Sequence, residues 1–390
     1  MSEMVPRRLL VIASLIVVQD LAFFAAISPL LPQYVDDLGL SETEAGVLTA
    51  AYPAGTLLMS LPAGFLAARA GPRLTVVVGL VLMGASSIGF GFGNEIGVLD
   101  AARFLQGVAG AMTWAGAFTW VIEAEGGERR GEMIGTLLGI AIAGALLGPP
   151  LGALADALGT EPVFGSVLVI SLVLAAMALR VPEPGARTRD TVGQVARALR
   201  GRPVMIAGAL LAVPSVEFGA IGVLVPLKID DLGGGAFVIA VGFTIGAAVE
   251  AALSPRAGRY ADEHSWLAPY VLGLLISAIA LGTIGAVSVL AIVVAAVVGT
   301  SIGAGICFTP ATKAISDAIE ATGLHQGMTA GITNFGWAGG EVVGATVGGA
   351  AADAYGLGAA FAGVAIFLSV AALLALRAGS AVVGRAPSRV

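Results

Sequence analysis

Five ionisable side chains sit inside stretches that are otherwise hydrocarbon: Asp20, Arg103, Glu217, Glu250 and Glu341. A charge at the centre of an apolar segment costs about 3 kcal/mol or more, so its default reading is functional, with a partner or a carried ion to offset that cost. Asp20 and Arg103 have opposite charge and form a candidate pair that can exchange a proton or bind a charged substrate; the bland alternative is a static ion pair pinning two helices. Gln106 follows Arg103 by three residues and shares its helix face. A carboxyl isolated in low dielectric suits a proton carrier, and Glu217, Glu250 and Glu341 qualify by position, with a structural role the equal alternative. Glu341 lies in "NFGWAGGEVVG", where Asn334 and Trp337 make a polar and aromatic cluster able to face a substrate. Glu123, in "EAEGGERRG", reads as a loop partner for Arg129 or Arg130.

The elements that must hold these groups follow from composition. The chain has 390 residues, 57% hydrophobic and 12% charged, with a mean hydropathy of +0.94, far outside the soluble range. It reads as a membrane protein. No basic patch supports nucleic-acid binding. The single Cys307 leaves no disulfide or thiol pair, and His264 and His325 fall in separate expected loops, so no metal site is expected. No phosphate-binding glycine loop or nucleophile with a base is present, which argues against an enzyme or an ATP-driven pump.

About 20 apolar residues cross a bilayer as a helix. Twelve such runs fit, near 9–31, 44–67, 74–93, 97–122, 132–155, 162–180, 203–226, 236–257, 266–286, 288–315, 327–351 and 356–377. The first follows two arginines but is too long for a signal peptide and is expected to be retained. At 1.5 Å per residue, Asp20 and Arg103 lie within about 5 Å of the same depth. One long polar interruption, "RVPEPGARTRDTVGQVARALRGRP", separates six spans from six. The expected domains are therefore 1–180, a linker 181–202, a second unit 203–377 and a tail 378–390.

Arginines gather on one side: Arg7, Arg8, Arg69, Arg73, Arg129 and Arg130, the linker arginines, Arg256, Arg259 and the C-terminal three, whereas the opposite loops hold Lys228 alone. Cytoplasmic loops carry such an excess, which puts both termini and the linker in the cytoplasm of a plasma-membrane protein. The halves are also copies. From Ile27 to Gly39 and from Ile221 to Gly233, seven of thirteen positions match at an offset of 194, including Pro32 with Pro226 and "DDLG" with "DDLG". These prolines are expected to break the spans, leaving Asp36, Asp37, Asp230 and Asp231 in solvated loops. An offset of 196 pairs Gly135, Gly144, Gly148 and Gly152 with Gly331, Gly340, Gly344 and Gly348. With six spans each, the copies run the same way and are parallel repeats.

These features resemble the major facilitator superfamily over nearly the whole chain. That family carries a pattern close to G-x-L-A-D-R-x-G-R-R between spans 2 and 3; here "GFLAARAGPR" supplies Gly64, Arg69, Gly71 and Arg73, with Ala68 in place of the acid. The second copy, "GRYADE", supplies Gly258 and Asp262. Such a loop can latch a helix terminus or the other half across the cytoplasmic face. "ARFLQGVAGA", with Arg103 and Gln106, matches the family pattern in span 4, and "GALLGPPLG", with Gly144, Gly148, Pro149 and Gly152, is similar to the G-x-x-x-G-P-x-x-G element of its antiporters. The glycines form a flat stripe and Pro149 kinks the span, resembling a hinge-like interface between halves that Gly340 and Gly344 repeat without the proline.

The resemblance implies an all-α membrane fold of twelve helices in two pseudo-symmetric six-helix bundles, with spans 1, 4 and 7 lining a central cavity. It implies a proton-coupled exporter of a small organic compound working by alternating access. Runners-up are an importer of a small solute such as a sugar or organic anion, then a channel or receptor. Expected partners are a small-molecule substrate, protons as coupling ion and the lipid bilayer, with no nucleic acid, no metal, no cofactor and no second subunit.

Overall fold

The computed structural model describes residues 7–125, 130–183, 191–324 and 326–383. Its elements are helices: α1 (Arg7–Ala25), α2 (Ile27–Leu38), α3 (Glu42–Ala70), α4 (Pro72–Phe92), α5 (Ile96–Glu125), α6 (Arg130–Leu158), α7 (Thr160–Ala178), α8 (Val192–Leu199), α9 (Arg202–Asp231), α10 (Ala236–Glu263), α11 (Leu267–Ala286), α12 (Leu290–Glu320), α13 (Gln326–Tyr355) and α14 (Leu357–Val383). α1 and α2 together make one crossing, so thirteen of these helices form twelve long segments, and α8 is a short helix within the polar interruption. Among the described residues, ten segments are long and apolar enough to cross a membrane by composition alone. α5 and α13 fall short because Asp100 and Arg103 in one, and Asn334, Glu341 and many glycines in the other, dilute their hydropathy.

The helix ends follow local chemistry. At the start of α3 the Ser41 hydroxyl accepts the Glu44 amide, and the Glu44 carboxylate accepts the Ser41 amide at 2.9 Å, a reciprocal cap with two acids in the positive first turn. Pro32 and Pro226 do not end their helices, contrary to the sequence expectation. α2 continues to Leu38 and α9 to Asp231, so Asp36, Asp37, Asp230 and Asp231 occupy final helical turns rather than loops. A proline removes one amide and one carbonyl partner, a local loss that helices inside a packed bundle re-satisfy. The interruption instead falls at Ala26, between α1 and α2. Pro29 lacks the amide that would bond to the Ala25 carbonyl, which weakens the ladder there.

Helices in lipid gain little from hydrophobic burial against one another and associate through close packing of small residues. Both glycine stripes do this in the same way. A Cβ at Gly144 would stand 2.8 Å from the Val18 carbonyl, at Gly148 2.5 Å from Ala25 Cβ, and at Gly152 against the Ala26 carbonyl. In the second half, Gly340 meets Ala212 and Ser215, Gly344 meets Val216, and Gly348 lies against Ala220. Each stripe therefore packs on the first helix of its own half. The expected role of Gly144, Gly148, Gly152, Gly340 and Gly344 as an interface between halves is corrected accordingly, and Pro149 is buried beside Gly148.

The halves meet most extensively along α3 and α13, which run antiparallel, and less along α6 and α10. At one end of the α3–α13 seam Thr43 donates to Asp353 at 2.6 Å, and a Cβ on Gly46 would lie 3.2 Å from Gly349 Cα. Toward the other end a Cβ on Gly331 would stand 2.9 Å from the Ser60 carbonyl. Around the Thr43 end, Val223, Leu227 and Ala345 of the second half share one apolar core with Leu30, Leu31, Tyr34 and Leu48 of the first. The face opposite the arginines is thus closed.

Candidate functional site

Asp20 on α1, Tyr52 on α3 and Arg103 on α5 converge near the middle of the first half. All three are buried, Arg103 at 1% exposure. The Tyr52 hydroxyl donates to Asp20 Oδ1 at 2.8 Å. Arg103 does not ion-pair with Asp20. Its guanidinium donates to the Phe23 and Phe24 carbonyls at 3.4 and 3.3 Å and to Gln106 Oε1 at 3.1 Å. It also lies 5.0 Å from the Tyr52 ring centre and 5.7 Å from that of Phe90. The expected pair is therefore not in ionic contact; Tyr52 touches both members, Arg103 through its ring and Asp20 through its hydroxyl. The two carbonyls adjoin the break at Ala26, and the cation is held by dipoles and π-faces rather than by a carboxylate. Gln106 passes the network on, donating to Ser87 on α4 at 3.0 Å.

Close helix approach makes this geometry possible. A Cβ on Gly107 would collide with the Tyr52 carbonyl, and one on Gly55 with the Phe104 carbonyl, so α3 and α5 touch backbone to backbone. Gly110 faces the Tyr52 hydroxyl and Asp20 Oδ1, the latter 2.7 Å from where a Cβ would sit.

The second half contributes from α13. Asn334, Trp337 and Glu341 are spaced to share one helix face. Trp337 packs edge-on to Phe24 at 5.6 Å, and Phe24 lies 4.9 Å from Tyr52. Glu341 is 4% exposed and within electrostatic reach of both Arg103 and Tyr52. Asn334 is half-buried with no hydrogen bond among the described residues.

Glu217 on α9 is set apart from this cluster. It is fully buried, and neither carboxylate oxygen has a hydrogen-bond partner. The Ser277 hydroxyl on α11, whose bond in this geometry goes to the Thr300 carbonyl at 3.5 Å, is the donor beside it, and Glu250 on α10 is its charged neighbour. Glu250 is half-buried against α12, where Gly305 leaves it room: a Cβ there would sit 3.1 Å from Glu250 Cγ. The duplication does not pair these sites. The 194-residue offset sets Phe23 against Glu217 and Pro214 against Asp20, so the polar chemistry differs between copies of one frame.

On the arginine face, Gly64 is buried inside α3, Arg69 lies 5.1 Å over the Phe65 ring, and Gly71 makes the turn into α4 with φ of 104°. A side chain there would be strained and would also strike the Glu183 carboxylate. Arg73 pairs with that carboxylate at 3.6 Å and donates to the Val181 carbonyl at 3.4 Å. Trp120 donates to the Pro182 carbonyl at 3.3 Å. Glu183, which follows α7, thus brings a carboxylate to the loop that lacks one at Ala68. Gly258 is half-buried in α10 beside Thr309. The Asp262 side chain, Arg129, the Arg130 side chain and His325 lie outside the described residues.

Sequence reasoning named Asp20, Arg103, Gln106 and Glu341 but missed Tyr52, Phe24, Ser87 and Glu183. A tyrosine beside a proline in "AAYPAG" carries a weak signal, a polar tip inside an apolar run.

Comparison with known proteins agrees with this architecture. The sequence model of the Major Facilitator Superfamily matches residues 12–320. An uncharacterized MFS-type transporter, C18.02 of Schizosaccharomyces pombe, is 27% identical over 182 residues, 45% of this chain and 41% of that protein. The quinolone resistance protein NorA of Staphylococcus aureus is 23% identical over 158 residues, 40% of this chain and 41% of NorA. The matched stretch thus spans about two fifths of the length of these relatives. Among solved structures, a D-xylose-proton symporter superposes with a TM-score of 0.74 at 16% identity, covering 94% of this chain and 96% of that one. The xylose transporter XylE of E. coli, in a partially occluded inward open conformation, gives 0.71 at 14% identity, covering 95% and 97%. At those identities the likeness is one of fold.

Proposed function

The chain belongs to the Major Facilitator Superfamily, and from that premise we propose that it is a secondary carrier exporting a small organic compound in exchange for protons. It works by alternating access between the first unit, 1–180, and the second, 203–377, joined by the linker 181–202, with 378–390 as a tail. The observation that carries the reading is Glu217: a carboxyl group wholly inside a spanning helix with neither oxygen partnered. Such a group is expensive unless it carries something in turnover, and a proton is the smallest cargo it can take. Asp20, one hydrogen bond from Tyr52 and near the Arg103 cation, is the second acid of the same pathway.

Export is favoured over uptake by the glycine–proline element around Gly148 and Pro149, which resembles that of antiporters, and by the NorA relationship. In this mechanism substrate and proton compete for the occluded centre bounded by Asp20, Phe24, Trp337, Asn334 and Glu341. Release on the side opposite the arginines requires parting the core that Val223, Leu227 and Ala345 share with the first half. Both termini then face the cytoplasm of the plasma membrane, by the arginine distribution.

The test uses protein in liposomes under an imposed pH gradient, screened with lipophilic cations, sugars and organic anions. Substrate accumulating on the proton-rich side supports exchange. Accumulation on the proton-poor side would convert the reading to symport, and conduction at channel rates would end the carrier reading.

A further inference from the structure

We infer that Tyr52 is the positioning residue of the intramembrane pair: its ring holds the Arg103 guanidinium apart from the Asp20 carboxylate, and its hydroxyl keeps that carboxylate in place. The inference deepens the proton-linked reading above and rests on it.

The geometry carries it. Asp20 and Arg103 are electrostatic neighbours, Arg103 also feels Glu341, and yet the two form no ion pair. Arg103 is held by the Phe23 and Phe24 carbonyls and Gln106, and its Cζ lies over the rings of Tyr52 and Phe90. Asp20 Oδ1 accepts from Tyr52, and Oδ2 accepts from no described residue. The absent side chain of Gly110 makes the space in which the Tyr52 hydroxyl and Asp20 Oδ1 meet.

Chemically, a bidentate Arg–Asp fork would lock the acid in its charged form, since a buried contact pair with a guanidinium favours the carboxylate strongly. An acid so locked cannot exchange protons during a transport cycle. An aromatic ring placed between the two is attracted to the cation through its face and to the carboxylate through its hydroxyl. Both charges are then satisfied separately, and one carboxylate oxygen stays available for a proton. Because Tyr52 also touches Phe24, which in turn touches Trp337, loading Asp20 is felt at α13 of the opposite half.

The test reads the carboxyl group directly by pH-jump difference infrared spectroscopy on purified protein without substrate, with the Asp20 band identified by its loss in Asp20→Asn. Tyr52→Leu removes the spacer, and the band is expected to fall to about a tenth of its wild-type amplitude or less at a pH where the protonated form is the minor one, the change that a one-unit drop in pKa produces there. Adding Arg103→Gln to Tyr52→Leu should restore it, a rescue that a merely structural role would not give. Tyr52→Phe keeps the ring and should keep the amplitude while moving the band frequency, because the hydrogen bond is gone. This milder variant decides the question should Tyr52→Leu not fold. Wild-type behaviour of Tyr52→Leu, failure of the double variant to restore the band, or an unmoved frequency in Tyr52→Phe would each overturn the assignment. No substrate is involved, so these outcomes stay readable even if the liposome experiment shows that protons do not drive transport.

Discussion

At the scale of the residue, the buried polar groups divide into those held and those left free. Arg103 is held by three acceptors and two rings, and a lysine there would keep the charge but lose the planar fork and the stacking. Arg103→Lys is expected to reduce gradient-driven transport at least tenfold while leaving the protein folded, measured by initial rates in liposomes. Asp20 keeps one carboxylate oxygen unbonded and Glu217 both. Asp20→Asn and Glu217→Gln should each abolish proton-driven transport and spare substrate binding, measured side by side by flux and by equilibrium binding; unchanged gradient-driven flux would remove those residues from the mechanism. Sequence alone pointed to both acids because a charge inside twenty apolar residues is conspicuous. It could not show that they meet different surroundings. That depends on Tyr52, Phe24 and Ser277, whose types are ordinary in a span and whose roles come only from three-dimensional neighbours.

At the scale of the element, the twelve crossings were legible because hydropathy and arginine alternation record the bilayer itself, and each expected span overlaps an observed helical segment. The helices overrun their apolar cores, as with α9 reaching Asp231 and α14 reaching Val383, since a helix need not stop where hydrocarbon does. What glycine stripes pack against was not legible, because the pattern gives a flat face and not its partner. Contact with α1 and α2 makes a specific claim about steric tolerance. Gly148→Leu should destabilise the folded protein by about 1–3 kcal/mol through overpacking, whereas Gly139→Leu, on the same helix with open space around it, should be neutral. Thermal unfolding in detergent distinguishes the two, and equal effects would refute the packing role of the stripe.

At the scale of the whole molecule, the closed face opposite the arginines defines one end of the transport cycle. Thr43 and Asp353 sit across the seam there with side-chain oxygens 2.6 Å apart. Cysteines at both positions should cross-link under oxidation and stop transport, with activity returning on reduction; the native thiol, Cys307, is buried and does not interfere. Transport that continues at full rate while cross-linked would mean that this end does not open. The repeat predicted matching halves, and the backbone obeys it in the paired glycine contacts. The side chains do not, for Pro214 and Phe23 stand where symmetry would put a second acid in each half.

The break at Ala26 has a mechanical consequence. It divides the first crossing into an inner part, α1, packed on the glycine stripe of α6, and an outer part, α2, which meets that stripe at Gly152 and also beds among Val223 and Leu227 of the opposite half. Arg103 grips the carbonyls on the inner side of that joint. The outer part therefore touches both halves, while the guanidinium ties the inner side of the joint to α5. Parting the halves at the far face must then break the grip of α2 on one of them.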